Sequence, residues 1–107
     1  MYKKVTIDGK ELEFTANAAT PYRYKQVFHR DLLKILGNEA NAESEGLEAV
    51  TELAFIMTKQ AERVDMGKLN YEEFITWLEG FGPMAFIDAA EEIIGVYMDS
   101  QKTSSTP

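Results

Sequence analysis

The chain has 107 residues, 45% of them apolar, and a formal net charge of −7 at pH 7; this length accommodates one domain with a modest core. It contains no cysteine, which excludes disulfides and thiolate metal sites and fits a reducing cytoplasm. We expect neither a membrane nor a nucleic-acid partner, because no apolar run approaches the roughly 18 residues of a membrane span and phosphate binding relies on clustered lysine and arginine.

The first predicted element is a β-hairpin over residues 2–15. Asp8-Gly9 separates two alternating segments, which is the strongest short hairpin signal. A two-residue turn pairs Ile7 with Lys10 and places the apolar residues of both strands on one face. A ribbon of two strands is marginal in water, so this face must cover helices or a partner. Its two edges remain open to further strands.

Four helices are predicted after the hairpin, over about residues 21–36, 44–64, 71–80 and 83–99, because apolar residues recur there at helical spacing. Thr20 is the expected N-cap of the first helix, and Asn70 is the expected N-cap of the third. Residues 101–107 are expected to be a disordered tail beyond a single domain of residues 1–100. The predicted fold class is mainly α (α+β): an N-terminal two-stranded β-hairpin followed by a bundle of about four helices.

The segment Glu62–Glu73 matches part of a calcium-binding EF-hand loop, including Gly67 at its sixth position. The third and fifth ligand positions hold Val64 and Met66, which offer no side-chain oxygen, whereas Ca²⁺ takes about six to eight oxygen ligands. We therefore predict a tight turn that leads into a capped helix, and no metal site.

Nothing in the sequence indicates catalysis. The only histidine, His29, lacks the partners that a triad or a zinc site needs. The adjacent pairs Glu72-Glu73 and Glu91-Glu92 point about 100° apart on a helix, so neither forms a facing acid–base pair. There is no phosphate-binding glycine loop and no nucleophile elbow. We expect no enzyme and no cofactor.

Two groups of side chains are candidates for protein binding. Four basic residues lie mostly off the apolar stripe of the first predicted helix: Arg23, Lys25, Arg30 and Lys34. Three aromatic residues lie on or just after the third: Phe74, Trp77 and Phe81. The basic residues are either a solvated face or a docking face for an acidic surface. The aromatic residues are either core or anchors for a partner helix.

The order of segments resembles one protein family. The hairpin is followed by TPYRYKQVFHRDLL, then by LAFIMTKQAE within the long helix, then by NYEEFITWLEGF. In this order the chain is similar to the tail assembly chaperones of long-tailed phages and prophages of Gram-positive bacteria. The resemblance covers about Val5–Tyr97 and rests on general pattern, without a motif whose binding residues can be placed one by one.

The resemblance implies a non-enzymatic protein that binds the tape measure protein, keeps it soluble and helps the major tail protein polymerise around it. Such a chaperone acts in the bacterial cytoplasm and is absent from the mature virion, and many are made in a short form and a frameshifted long form. We also expect self-association, because open strand edges and separated charge permit head-to-tail contacts between copies.

Two other functions compete with this one. The first is a head–tail joining protein or another phage morphogenesis protein, which would remain in the virion, where mass spectrometry would detect it. The second is a small regulatory adaptor that binds nucleic acid through the basic residues of the first helix. Its binding would fall steeply with rising salt concentration.

Overall fold

The computed structural model of the chain describes residues 1–36 and 45–104. An antiparallel hairpin opens the chain, with strands β1 (Tyr2–Ile7) and β2 (Lys10–Thr15). Six α-helices follow in these ranges: α1 (Thr20–Phe28), α2 (Leu32–Leu36), α3 (Glu45–Glu62), α4 (Tyr71–Leu78), α5 (Ala85–Asp88) and α6 (Ala90–Ser104). The predicted fold class, a hairpin followed by a mainly helical α+β body, is confirmed.

The hairpin has the predicted register. Ile7 lies opposite Lys10, and the pairing continues outward through Val5 with Leu12 and Lys3 with Phe14. Asp8 and Gly9 both have positive φ, 54° and 75°, as a type I′ turn requires. The apolar face is buried within the chain, with Phe14 0% exposed, and β2 packs on α3. The hairpin therefore covers helices of its own chain.

The turn of the hairpin is tied to the connection between α4 and α5. The Asp8 carboxylate accepts a hydrogen bond from the backbone N–H of Gly82 at 2.8 Å, and the Lys10 ammonium donates to the carbonyl of Gly80. The Lys10 ammonium also lies 4.6 Å from the ring centroid of Phe81. These contacts fix the position of the α4–α5 connection relative to the sheet.

The single helix predicted over residues 21–36 is wrong, because the chain forms two helices there. α1 ends at Phe28, where His29 takes a left-handed backbone conformation with φ 59° and closes the helix. α2 begins at Leu32, and the Asp31 carboxylate accepts from a backbone N–H in its first turn at 3.2 Å. The apolar spacing continues across this break, so the pattern did not reveal it.

The predicted N-cap role of Thr20 is also wrong. Thr20 is the first residue of α1, and the cap position is Ala19. The buried Thr20 hydroxyl accepts from the backbone N–H of Asn17 at 2.9 Å and donates to the Gln60 side chain at 2.8 Å. Thr20 therefore joins the start of α1 to α3, while the Asn17 side chain accepts from the Ala19 N–H.

The helix predicted over residues 83–99 is likewise two helices, α5 and α6, separated at Ala89. α6 continues to Ser104, so the disordered tail predicted from residue 101 is wrong through Ser104. Residues 105–107 lie outside the described part of the chain, as does the predicted start of the second helix at residue 44. α3 ends at Glu62, two residues before the predicted end.

The segment between α3 and α4 is the predicted tight turn into a capped helix. A short 3-10 helix, Met66–Lys68, follows Asp65, whose carboxylate accepts from the backbone N–H of Gly67 at 3.1 Å. Asn70 caps α4 by accepting from the backbone N–H of Glu73 at 2.9 Å. In the segment that partly matches an EF-hand loop, the side chains of Asp65 and Asn70 therefore cap the backbone of the two helices that follow them.

α3 is the central element of the core. The five residues Leu53–Met57 are each 0% exposed, so this part of the helix is covered on every side, as expected for a helix that is apolar all round. β2, α1, α2 and α6 pack against α3, as do α4 and α5. None of the helices in the described ranges combines the length and apolar character needed to cross a bilayer.

Candidate protein-binding site

The four basic residues predicted as a contact surface do not share one environment. Lys25 on α1 and Lys34 on α2 are exposed. Arg23 is partly buried and donates to the side chain of Gln26 on the same helix at 3.0 Å. Arg30 lies in the break between α1 and α2 and is directed inward, toward α3. Only three of the four therefore remain available as an outward basic surface.

Arg30 forms an ion cluster with two glutamates of α3. Its guanidinium donates to the Glu52 carboxylate and lies 3.6 Å from the carboxylate of Glu48. The Tyr24 hydroxyl donates to the same Glu52 oxygen. Glu52 is 7% exposed, and a buried carboxylate is costly unless it is paired and hydrogen-bonded. Arg30 and Tyr24 together meet this requirement and hold the α1–α2 break against α3.

Both donors keep their protons in this environment. Burial, followed by the hydrogen bond to Glu52, raises the pKa of the Tyr24 phenol. Burial by itself lowers the pKa of the Arg30 guanidinium, but the hydrogen bond to Glu52 and the nearby negative charges outweigh it and raise that pKa. Arg30 remains cationic, so this cluster of one arginine and two glutamates carries a net charge of −1.

The three aromatic candidates belong to a chain of ring contacts that extends from α1 to α5. Phe74 packs on Phe28 with ring centroids 5.0 Å apart, and Trp77 packs on Phe55 at 5.4 Å. Phe81 lies 5.0 Å from Trp77. Phe74 is 4% exposed and is therefore a core side chain, whereas Trp77 and Phe81 are only partly buried.

A groove that the sequence did not reveal runs between α3 and α4 and continues to α5. It consists of two adjoining cavities, of about 320 and 300 Å³, that share Thr51 and Leu78. One wall is formed by α4 and the other by the N-terminal half of α3. We call this feature the α3–α4 groove; its lining residues are Leu47, Glu48, Thr51, Glu52, Tyr71, Phe74, Ile75, Leu78, Phe81, Gly82, Pro83, Phe86 and Ile87.

The α4 wall of the groove is a row of apolar side chains that are only partly covered. Tyr71, Ile75 and Leu78 follow one another at i, i+4 and i+7, which places them on one side of the helix. Tyr71 is 57% exposed, and Ile87 at the α5 end is 44% exposed. The sequence identifies Ile75 and Leu78 as part of the apolar stripe of α4. It does not show that they are partly exposed, because their exposure depends on how α4 packs on α3.

No family model, no curated protein and no solved structure matches the chain. Within residues 1–36 and 45–104, no three acidic or histidine side chains converge in a way that could hold a metal ion. The candidate site is therefore defined by its own geometry: an apolar groove with carboxylates of α3 on one wall.

Proposed function

We propose that the protein is a non-enzymatic tail assembly chaperone of a phage or prophage. In this proposal it binds the tape measure protein in the bacterial cytoplasm, keeps it soluble, promotes assembly of the major tail protein around it, and is absent from the mature virion. The observation that carries the proposal is the α3–α4 groove, whose partly exposed apolar wall suits an apolar helix. The segment order that resembles this chaperone family supports it.

The physical requirements of such a chaperone agree with this surface. A long helical protein with apolar stripes aggregates unless those stripes are covered. Covering it needs many copies that each bind with modest affinity and dissociate as the tail tube forms, since linked weak contacts add up to strong binding. A shallow groove on a small acidic chain provides a contact of that kind, and the net charge of −7 favours solubility of the coated complex.

Co-expression tests this function directly. The protein is expressed together with a candidate tape measure protein, a very long, helix-rich protein encoded by the same phage or prophage. We expect that protein to move from the insoluble to the soluble fraction and to co-purify with the chaperone. The control is the same long protein expressed alone. If the long protein stays insoluble, or is soluble without bound chaperone, the proposal fails.

We also propose that copies associate head to tail through the open edges of the hairpin. In the described part of the chain the sheet has two strands only, so each has one unpaired edge. Lys3 and Lys4 lie on β1, whereas Glu11 and Glu13 lie on β2, so β1 of one copy and β2 of the next have complementary charge.

Light scattering tests this association. The apparent mass is expected to rise above the 12.1 kDa of one chain as the concentration increases, and to rise less at high salt because the pairing charges are screened. Lys3→Glu on β1 should shift the equilibrium toward monomer, whereas Lys68→Glu, outside the hairpin and with a side chain that is 84% exposed, serves as the control. A mass that stays at 12.1 kDa at every concentration would contradict the model.

A further inference from the structure

We propose that the α3–α4 groove binds one amphipathic helix of a partner protein, with an aliphatic stripe seated between α3 and α4 and a lysine or arginine placed beside Glu48. This inference rests on the proposed function for the identity of the partner, which would be the tape measure protein. The chemistry of the bound segment follows from the groove alone.

The dimensions of the groove fit a short helical segment. Tyr71 and Leu78 are seven residues apart on α4, which corresponds to about 10 Å along the helix axis. The groove then continues past Leu78 to Ile87 on α5. A partner helix of two to three turns, with aliphatic residues at i, i+4 and i+7, matches this length and the spacing of the α4 row. An apolar groove between two helices is the common receptor for such a helix.

The segment that precedes α3 in the sequence does not supply the anchors that the groove needs. Residues 37–44, which directly precede α3, read GNEANAES and contain no apolar side chain larger than that of alanine. Side chains of this size cannot replace the aliphatic anchors of a helix-in-groove contact. We therefore expect the anchors to come from another molecule.

Among the side chains whose exposure the structure describes, a second copy does not offer a matching stripe either. In the described part of the chain the clearly exposed large apolar residues are Met1, Tyr2, Tyr22, Tyr71, Met84, Ile87 and Met98. Of these, Tyr71 and Ile87 already line the groove. Tyr22 on α1 and Met98 on α6 each stand alone on their helix, without a second clearly exposed large apolar neighbour at i+3 or i+4. We therefore assign the groove to a different protein and leave occupation by a second copy as an outcome of the test.

The charge beside the groove selects a basic partner. Glu48 lines the groove with its side chain 70% exposed, and the cluster that it forms with Arg30 and Glu52 has an excess of one negative charge. At the other end Asp88, which is exposed, follows Ile87 directly. Charge complementarity determines which partner is accepted more than how tightly it binds, so the aliphatic stripe should be flanked by lysine or arginine.

Three synthetic peptides of 18 residues, labelled with a fluorophore, test the chemistry against the full-length chain by fluorescence anisotropy. The first has leucines at helical spacing with flanking lysines, the second has glutamates in place of the lysines, and the third has the lysines with the leucines scrambled. We expect the first to bind about tenfold more tightly than the second at low salt and the third not to bind measurably. Equal binding of all three, or no binding of the first, would overturn the inference.

Two lysine substitutions at equally exposed apolar positions test the location. Ile87 lies in the groove and is 44% exposed, whereas Met98 lies on α6 outside it and is 47% exposed. Ile87→Lys should weaken binding of the lysine-flanked peptide about tenfold, because it removes an apolar contact and adds a repelling charge. Met98→Lys should change the affinity less than about twofold. Equal effects of the two variants would overturn the assignment to the groove.

The same variants separate this inference from the proposed function. If Ile87→Lys solubilises the long partner as well as the unmodified chain does, the groove is not the binding site although the chaperone function stands. If the peptides bind as expected but the unmodified chain leaves the long protein insoluble, the chaperone function fails although the helix site stands. If Ile87→Lys abolishes self-association and leaves peptide binding unchanged, the groove is occupied by a second copy and the inference is wrong.

Discussion

Replacing Arg30 with alanine is expected to lower the free energy of unfolding by about 3 kcal/mol, because the Glu52 carboxylate then stays buried without a cationic partner. Glu52 is 7% exposed with Arg30 in place, but the Arg30 side chain is itself 30% exposed, so water reaches part of the space that the guanidinium leaves. The Tyr24 hydroxyl still donates to Glu52, which places the loss at the lower end of the range measured for broken buried ion pairs. Urea denaturation followed by the fluorescence of Trp77 measures it.

A matched variant and a compensating variant control this prediction. Lys25→Ala removes an exposed cation of α1 and should change the free energy of unfolding by less than about 0.5 kcal/mol. The double variant Arg30→Met with Glu52→Gln removes both charges and keeps side chains of similar size, so it should recover most of the loss. If Arg30→Ala costs no more than Lys25→Ala, the ion cluster does not hold the α1–α2 break against α3.

The position of Arg30 also changes how the basic surface should be tested. Reversing Arg30 to glutamate would place a third carboxylate beside Glu48 and Glu52 and destabilise the fold, whatever the surface binds. A loss of assembly in such a variant would therefore say nothing about docking. Reversal of Lys25 and Lys34, which are both exposed, tests the predicted docking face without disturbing the ion cluster.

The sequence predicts those parts of this fold that depend on neighbouring residues. The register of the hairpin follows from Asp8-Gly9, because a two-residue turn leaves only one pairing of the flanking strands. The start of α4 follows from the Asn70 cap. In both cases the decisive contact joins residues a few positions apart, so the local pattern contains the information.

The break between α1 and α2 depends on contacts that are distant in the chain. Arg30 contacts Glu52, which lies 22 residues later in the chain, and this contact stabilises the break. The apolar residues keep their helical spacing on both sides of the break, so the spacing does not indicate it. The α3–α4 groove could not be predicted for the same reason: the pattern marks Ile75 and Leu78 as apolar, but their coverage depends on the packing of α4 against α3. Helix periodicity places the four basic residues on one predicted helix. This prediction is wrong for Arg30, because the helix is interrupted there and Arg30 is directed toward α3.

Replacing Phe74 with alanine is expected to lower the free energy of unfolding by about 3–5 kcal/mol, the range for removal of a large buried aromatic side chain. Its ring lies 5.0 Å from that of Phe28, 5.4 Å from Phe55 and 5.7 Å from Tyr71, so the cavity would open where α1, α3 and α4 meet. Urea denaturation monitored by circular dichroism measures the loss.

Tyr71→Ala is the matched control for Phe74→Ala, because both remove an aromatic ring from α4 but Tyr71 is 57% exposed. It should cost about 1 kcal/mol or less, in line with surface substitutions that lose part of a contact.

Substitutions of Phe74 also separate a core role of this side chain from a role as an anchor for a partner helix. A core side chain at position 74 predicts a large loss of stability for Phe74→Ala and a smaller loss for the milder Phe74→Leu variant. An anchor predicts the reverse: near-normal stability and lost binding. The 4% exposure of Phe74 favours the first outcome, and it leaves Tyr71, Ile75 and Leu78 as the residues of α4 that a partner helix can reach.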